Sequence, residues 1–356
     1  NMKKNIIALA IASAIAAPVA MADAPTVYGQ INVAIDSLND HGMLTSDRDS
    51  RVGVKGSEDL GNGLKAVYKM EFGVKVGDAF DGNSDATKDG FSGRNAYVGL
   101  AGGFGTVLLG RHDTPFKMSQ AKDLFGDSTY GDIGKKTVAG GLGMSGKAGE
   151  VRADNVVAYV SPEFAGIKLV AAGVSTEANT QDGDGVVATK DASKSSLANV
   201  YSIAAMYGST KEGLFLSGAY NVWGKGATDG KDYTEMRLSA QYATGGLVAS
   251  AMYQDFDMAG TNKATAGATE GTNIQAQVGY KMGAFMPKAK YSTVDYDLSG
   301  QKSAAAYGLG LDYSFGKKTT GYVEYVSADK YMIGAAGQAT PAQSTSAVSV
   351  GMVHKF

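Results

Sequence analysis

Few residues in this chain could make or break bonds. Histidine occurs at three positions, His41, His112 and His354, and cysteine does not occur at all. Without cysteine, disulfides, thiolate metal sites and thiol nucleophiles drop out. A hydroxyl nucleophile or an attacking water needs a positioned base. No Gly-x-Ser-x-Gly elbow occurs, His41 and His112 fall in or beside loop-like stretches, and His354 shares a register with apolar residues. Gly141-Leu142-Gly143-Met144-Ser145-Gly146 has a dinucleotide-binding spacing. It lacks the preceding apolar strand and following helix that such a site requires, so it reads as a glycine loop. Asp182-Gly183-Asp184-Gly185 could hold calcium only with help from neighbouring carbonyls, and reads as solvated. No cofactor, no metal and no enzymatic activity are expected. What remains is fixed charge, 33 Lys and Arg against 35 Asp and Glu. That near balance does not point to a nucleic-acid partner.

Those charges need a scaffold, and the scaffold reads as strands. Leu64, Ala66, Tyr68, Met70, Phe72, Val74 and Val76 alternate with Lys65, Lys69, Glu71 and Lys75. Ile274, Ala276, Val278, Tyr280 and Met282 alternate with Gln275, Gln277 and Lys281, and Ala305, Tyr307, Leu309, Leu311, Tyr313 and Phe315 with small or polar residues. Period-two alternation marks a sheet with one apolar face. A soluble sandwich also alternates, but the segments here run to about 9–13 residues, the length of tilted transmembrane strands, against about 5–6 in soluble sheets. Short turns such as Leu60–Gly63, Ser161–Gly166, Gly208–Gly213 and Gly283–Phe285 alternate with long polar stretches. These include Ser37–Asp49, Gly77–Gly93, Ser175–Leu197 and Ala328–Thr345. That is the pattern of short periplasmic turns and long extracellular loops in outer-membrane barrels. The expected fold is an all-β, 16-stranded antiparallel transmembrane barrel, with strands beginning near residues 26, 50, 64, 94, 104, 154, 167, 198, 214, 233, 247, 272, 286, 303, 319 and 346. The 49 glycines and 19 tyrosines suit strands and turns.

Residues 1–22 carry the marks of a secretion signal: Lys3 and Lys4, an apolar Ile6–Ala17, and Ala20-Met21-Ala22 as a cleavage site. The reading is a removed signal peptide, followed by one barrel domain over 23–356, in the outer membrane of a Gram-negative bacterium. Phe356 closes the last strand on the register of Val348, Val350 and Met352. It is expected to serve as a periplasmic-end signal for the barrel-assembly machinery.

Ser50-Arg51-Val52-Gly53-Val54-Lys55-Gly56 through Ala66 resembles the second hairpin of Gram-negative general porins of the trimeric, β-proteobacterial type. Arg94–Leu100 with Gly103–Val107 and Gly110-Arg111 is similar to that family's next hairpin. Val27-Tyr28-Gly29, Asp154–Pro162 and Phe356 fit as well. The resemblance implies a homotrimer in outer-membrane lipid and lipopolysaccharide, each barrel passing small hydrophilic solutes and ions by passive diffusion. It also implies an inward-folded third loop, and residues 112–150 supply a long segment without sustained alternation. A substrate-specific channel, an adhesin and a barrel enzyme are the alternatives. No lumen stripe of tyrosines is evident to favour a sugar-selective channel.

The family pattern sets a basic wall across from acids on the inward loop. Matched residue by residue, it implies Arg51, Arg94, Arg111 and Arg152 for the wall. Lys69 joins them on its own lumen register. Simple alternation puts Arg94 and Arg111 with apolar neighbours, so a bulge is needed to re-aim them. On the loop the candidates are Asp113, Asp123 and Asp127, with Asp132 beside them. Lumen-register charges lean basic, with Lys65, Lys69, Lys168, Arg237, Lys281, Lys288, Lys290 and Lys355 against Glu71, Glu235, Asp312 and Glu324. The expectation is a weak preference for anions.

Overall fold

The computed structural model describes residues 24–39, 42–76, 90–132, 150–175, 197, 200–223, 233–257, 270–297, 303–329 and 345–356. Its seventeen strands are β1 (Thr26–Leu38), β2 (Gly42–Asp47), β3 (Arg51–Gly61), β4 (Leu64–Val74), β5 (Phe91–Gly102), β6 (Gly105–Asp113), β7 (Arg152–Val160), β8 (Ile167–Val174), β9 (Val200–Gly208), β10 (Gly213–Trp223), β11 (Tyr233–Thr244), β12 (Leu247–Asp257), β13 (Glu270–Tyr280), β14 (Phe285–Tyr296), β15 (Ala304–Ser314), β16 (Thr319–Ala328) and β17 (Thr345–Lys355). From β3 onward each pairs antiparallel with its sequence neighbour, and β17 returns to β1 along Gln30↔Lys355 to Leu38↔Ala347. Closure leaves no open edge, which lipid would penalise heavily.

Seventeen segments make sixteen staves. β1 pairs with β3 over Thr26–Gln30 and with β2 over Val33–Leu38. Together β2 and β3 form one wall strand, interrupted at Arg48-Asp49-Ser50 where Asp49 adopts φ 54°. The barrel is therefore 16-stranded and closed. One expectation needs correcting here. Ser37–Asp49 is not a long loop, because β1 runs to Leu38 and the chain re-enters the wall at Gly42. The segment looked like a loop because it is polar. Its polar groups pair within the lumen, Ser46 donating to Asp36 at 2.5 Å and Arg48 at 2.9 Å.

The pattern is inside out relative to a soluble protein. Ile31, Ile35, Val98, Leu109, Leu238 and Ile274 are about half exposed on the outer face, where lipid lies. Gln30, Asn32, Gln254, Asn273 and Gln275 are buried on the inner face. Tight hairpins fix the register. Asn62-Gly63 (φ 53° and 77°) and Gly245-Gly246 (φ 54° and 94°) supply the paired left-handed residues of a type I′ turn. At the closing seam Gly29 and Phe356 exchange backbone hydrogen bonds, both 3.1 Å. The Phe356 ring lies over Gly29, where a Cβ would collide with it.

Candidate functional site

The chain leaves β6 at Asp113 and turns inward through a helical turn, Pro115–Met118, capped by the Thr114 hydroxyl. Residues 114–132 then run along the inner wall. Phe116 N–H donates to Ser202 Oγ at 2.9 Å, Lys122 N–H to Gln241 at 2.8 Å and Leu124 N–H to Gln277 at 2.9 Å. Lysines return bonds from the wall, Lys288 to the Leu124 carbonyl at 2.8 Å and Lys290 to the Gly131 carbonyl at 2.6 Å. Two aromatic side chains anchor the segment, both fully buried: Phe116 under the Arg237 guanidinium and Phe125 against Lys288. Gly308 and Gly310 on β15 floor the Phe125 seat, since a Cβ on either would press against its ring.

This path divides the lumen charges into two sets. Arg48, Arg237, Lys288 and Lys290 have side chains only 1, 0, 4 and 1 % exposed. They are spent on structure. Arg48 bridges Asp36 (2.9 Å) and Glu324 (2.7 Å), Lys288 pairs with Glu324 (2.9 Å) and Asp312 (2.8 Å), and Arg237 pairs with Glu150. Buried charges need such partners to offset desolvation. Arg51, Lys69, Arg94 and Arg152 keep 22, 21, 17 and 13 % of their side chains exposed. These four, on β3, β4, β5 and β7, form the accessible basic arc.

Each arc residue is held. Arg51 grips Asp127 with both terminal nitrogens, at 3.1 and 3.2 Å, and its Nη2 also donates to Gln30 at 3.2 Å. A fork on a carboxylate fixes orientation as well as distance. Glu71 gathers Arg94 (2.7 Å), Lys69 (3.2 Å) and the Tyr28 hydroxyl (2.7 Å). Arg152 pairs with Asp113 and Asn95, each at 3.0 Å, and Lys117 reaches Asp113 at 3.2 Å.

The required bulges are present. On β5 two residues, Arg94 and Asn95, stand opposite the single Glu71, because Met70 pairs with Ala96 and Phe72 with Gly93. That extra residue turns Arg94 off the apolar register and onto Glu71. On β7 Asp154 and Asn155 (φ 54°) oppose Arg111. Arg111 pairs with Asp154 at 2.6 Å and stands across from Ala96, on the register of the outward Val98 and Leu109. The structure thus brings together four of the five basic candidates with Asp113 and Asp127, while Arg111, near enough to Arg152 to act on it electrostatically, pairs with Asp154 instead. Asp123 turns toward the wall and pairs with Lys290 at 2.8 Å. Asp132 accepts from the Asp127 N–H at 2.7 Å. His112 packs at a tilt against Tyr97, with ring centroids 5.0 Å apart.

Sequence reading missed Tyr28, Arg48, Lys117 and the glycine floor. Tyr28 and Gly308 carried a signal, since both lie on inner registers; Arg48 and Lys117 lie outside any alternating run. His41, Gly141–Gly146, Asp182–Gly185 and residues 133–149 of the inward segment lie outside the described residues.

A family model described as Gram-negative porin matches residues 8–330. Major outer membrane protein P.IB of Neisseria gonorrhoeae is 28% identical, over 90% of this chain and 92% of that protein. The anion-selective porin of Comamonas acidovorans superposes with a TM-score of 0.69 at 22% identity, covering 94% of this chain and 99% of that one. OmpT of Vibrio cholerae in its trimer form superposes at 0.63 with 18% identity, covering 94% and 100%. At these identities the two solved structures speak to the fold.

Proposed function

The chain belongs to the Gram-negative porin family, and from that premise we propose that its outer-membrane channel is a general diffusion pore with a weak preference for anions. As a porin it forms a water-filled passage and conducts rather than catalyses. The finer reading concerns the constriction. Arg51, Lys69, Arg94 and Arg152 form its basic side, with Lys117 of the inward segment beside them. Asp113 and Asp127 are its acidic side, each at once a pore-lining group and a clamp. Asp123 acts as a tether beneath the segment, and Arg111 steadies the β6–β7 bulge.

The observation that carries this reading is the uneven exposure of the lumen charges. Cations buried against the inward segment are neutralised, while on the arc, among the described residues, the partly exposed Arg51, Lys69, Arg94, Lys117 and Arg152 pair with Asp49, Glu71, Asp113 and Asp127. Exposed positive charge along a narrow aqueous passage raises local anion concentration and lowers that of cations. The related fold in Comamonas acidovorans is anion-selective, which is consistent with it. The functional unit is a homotrimer in lipid and lipopolysaccharide, as the trimeric OmpT with the same fold suggests. Phe356, seated on Gly29 at the seam, serves the assembly machinery as its terminal signal.

The test is single-channel recording of the refolded protein in a planar bilayer, with the reversal potential read in a salt gradient. The expected result is stepwise conductance in triplets and an anion-directed reversal. Arg51→Ala removes one charge and releases the Asp127 carboxylate, and should lower the anion-to-cation ratio by about threefold or more at 0.1 M salt. A folded barrel without conductance would overturn the reading.

A further inference from the structure

Below Arg51 the inner wall carries a pairing that sheets ordinarily avoid. Lys55 on β3 stands directly across from Lys69 on β4. Like charges at directly opposed positions on one face repel. Here the ring of Tyr28 receives both, with Lys55 Nζ 5.3 Å and Lys69 Nζ 5.6 Å from its centroid. An aromatic face attracts ammonium groups, so the ring offsets part of the repulsion. Tyr28 is held in turn by its hydroxyl bond to Glu71 at 2.7 Å, and Gly53 leaves room for the ring.

The two lysines differ in what neutralises them. Lys69 pairs with Glu71 at 3.2 Å. Lys55 is exposed, and among the described residues no carboxylate pairs with it. Its side chain shares the inner register with Gln30, Arg51 and Tyr28, because Thr26↔Lys55 and Gln30↔Arg51 run in one ladder. The position lies four residues along β3 from Arg51, toward the short-turn end. Arg51 and Lys55 thus form two successive steps of positive charge along the solute path.

We infer that Lys55 and Lys69, splayed over the Tyr28 ring, form a second anion-binding step on the periplasmic side of the constriction, suited to a small oxyanion such as inorganic phosphate. Two ammonium groups offer several N–H donors from one side, and the open lumen leaves the anion free to move on. Arg51 and Arg94 draw an anion into the narrowing, and this pair receives it beyond. The inference rests on the anion preference proposed above.

The experiment measures reversal potential in a potassium chloride gradient, and block of the chloride current by inorganic phosphate added to both chambers. Wild type is compared with Lys55→Gln, Lys55→Glu and Lys55→Arg. A unit charge about 7 Å from the ion path, screened at 0.1 M salt, corresponds to a two- to threefold fall in the anion-to-cation ratio for Lys55→Gln. Lys55→Glu should lower it by roughly the square of that, and Lys55→Arg should hold it near wild type. Phosphate block should weaken in Lys55→Gln and persist in Lys55→Arg. Retention of the heat-modifiable form confirms that each variant folds. An anion-directed wild type whose reversal and phosphate block do not change in Lys55→Gln would overturn this inference alone. A cation-directed wild type would overturn it together with the proposed selectivity.

Discussion

Phe125→Ala should loosen the constriction without harming the barrel that encloses it. Phe125 is fully buried, in van der Waals contact with Gly131 and seated above Gly308 and Gly310. Lys288 lies 4.7 Å and Lys290 5.8 Å from its ring. Truncating a buried phenylalanine costs about 3–5 kcal/mol. Here that cost falls on the inward segment, because the ring's neighbours are the segment itself and the inner face of the wall. At 1.4 kcal/mol per factor of ten, unseated conformers rise about a hundredfold to a few thousandfold. The polar anchors remain, including Gln277 to the Lys122 carbonyl at 2.6 Å and Lys290 to that of Gly131, so the segment should flicker rather than detach. Open-channel current noise in planar bilayers is the assay, with heat-modified mobility in gels as the control for the barrel. The expected record is a noisier open level with brief excursions to higher conductance, and Phe125→Leu should restore most of the quiet. A Phe125→Ala channel as quiet as wild type would refute the claim that this ring holds the constriction in place.

Two further outcomes follow from the same geometry. Gly310→Val adds a Cβ within 2.6 Å of the Lys288 side chain and 3.3 Å of the Phe125 ring. It should reproduce the noisy phenotype at a cost of about 1–3 kcal/mol of overpacking, although every loop residue is intact; conductance and gel mobility check it. Arg111→Leu removes the Asp154 ion pair at the β6–β7 bulge, so the thermal midpoint of the barrel should fall.

How much of this was legible in the sequence depended on the rule that governs each part. Staves were legible because a lipid-facing strand must alternate, and the runs at Leu64–Val76 and Ile274–Met282 do so without a break. β2 was not, because Gly42–Asp47 is only six residues long and Met43 is the one apolar residue on its outer register, beside Thr45 and Asp47. Arg51 and Lys69 lay on the inner register from the start, whereas Arg94 reached Glu71 only through a bulge that alternation demanded but could not place. The charges at Arg237, Lys288 and Lys290 were legible as inward but not as buried. Whether an inward charge meets water or the underside of the inward segment depends on contacts some 87 to 167 residues apart in the chain. Asp123 and Asp127, four residues apart in the same loop, take different parts of the wall for that reason.

The seat of the inward segment also has a bearing on the order in which the molecule is built. Phe116 rests on Ser202, Lys122 on Gln241, Leu124 on Gln277, and Ser128 donates to Glu324 at 2.9 Å. Every one of these supports is synthesised after the piece it supports, the last of them 196 residues later. Asp127 adds a support that comes earlier, Arg51 of β3, but Gln30 beside it belongs to the stave that only β17 can close. The full seat therefore spans staves from β1 to β16, and all of its supports stand together only in the wall that the β1–β17 pairing closes.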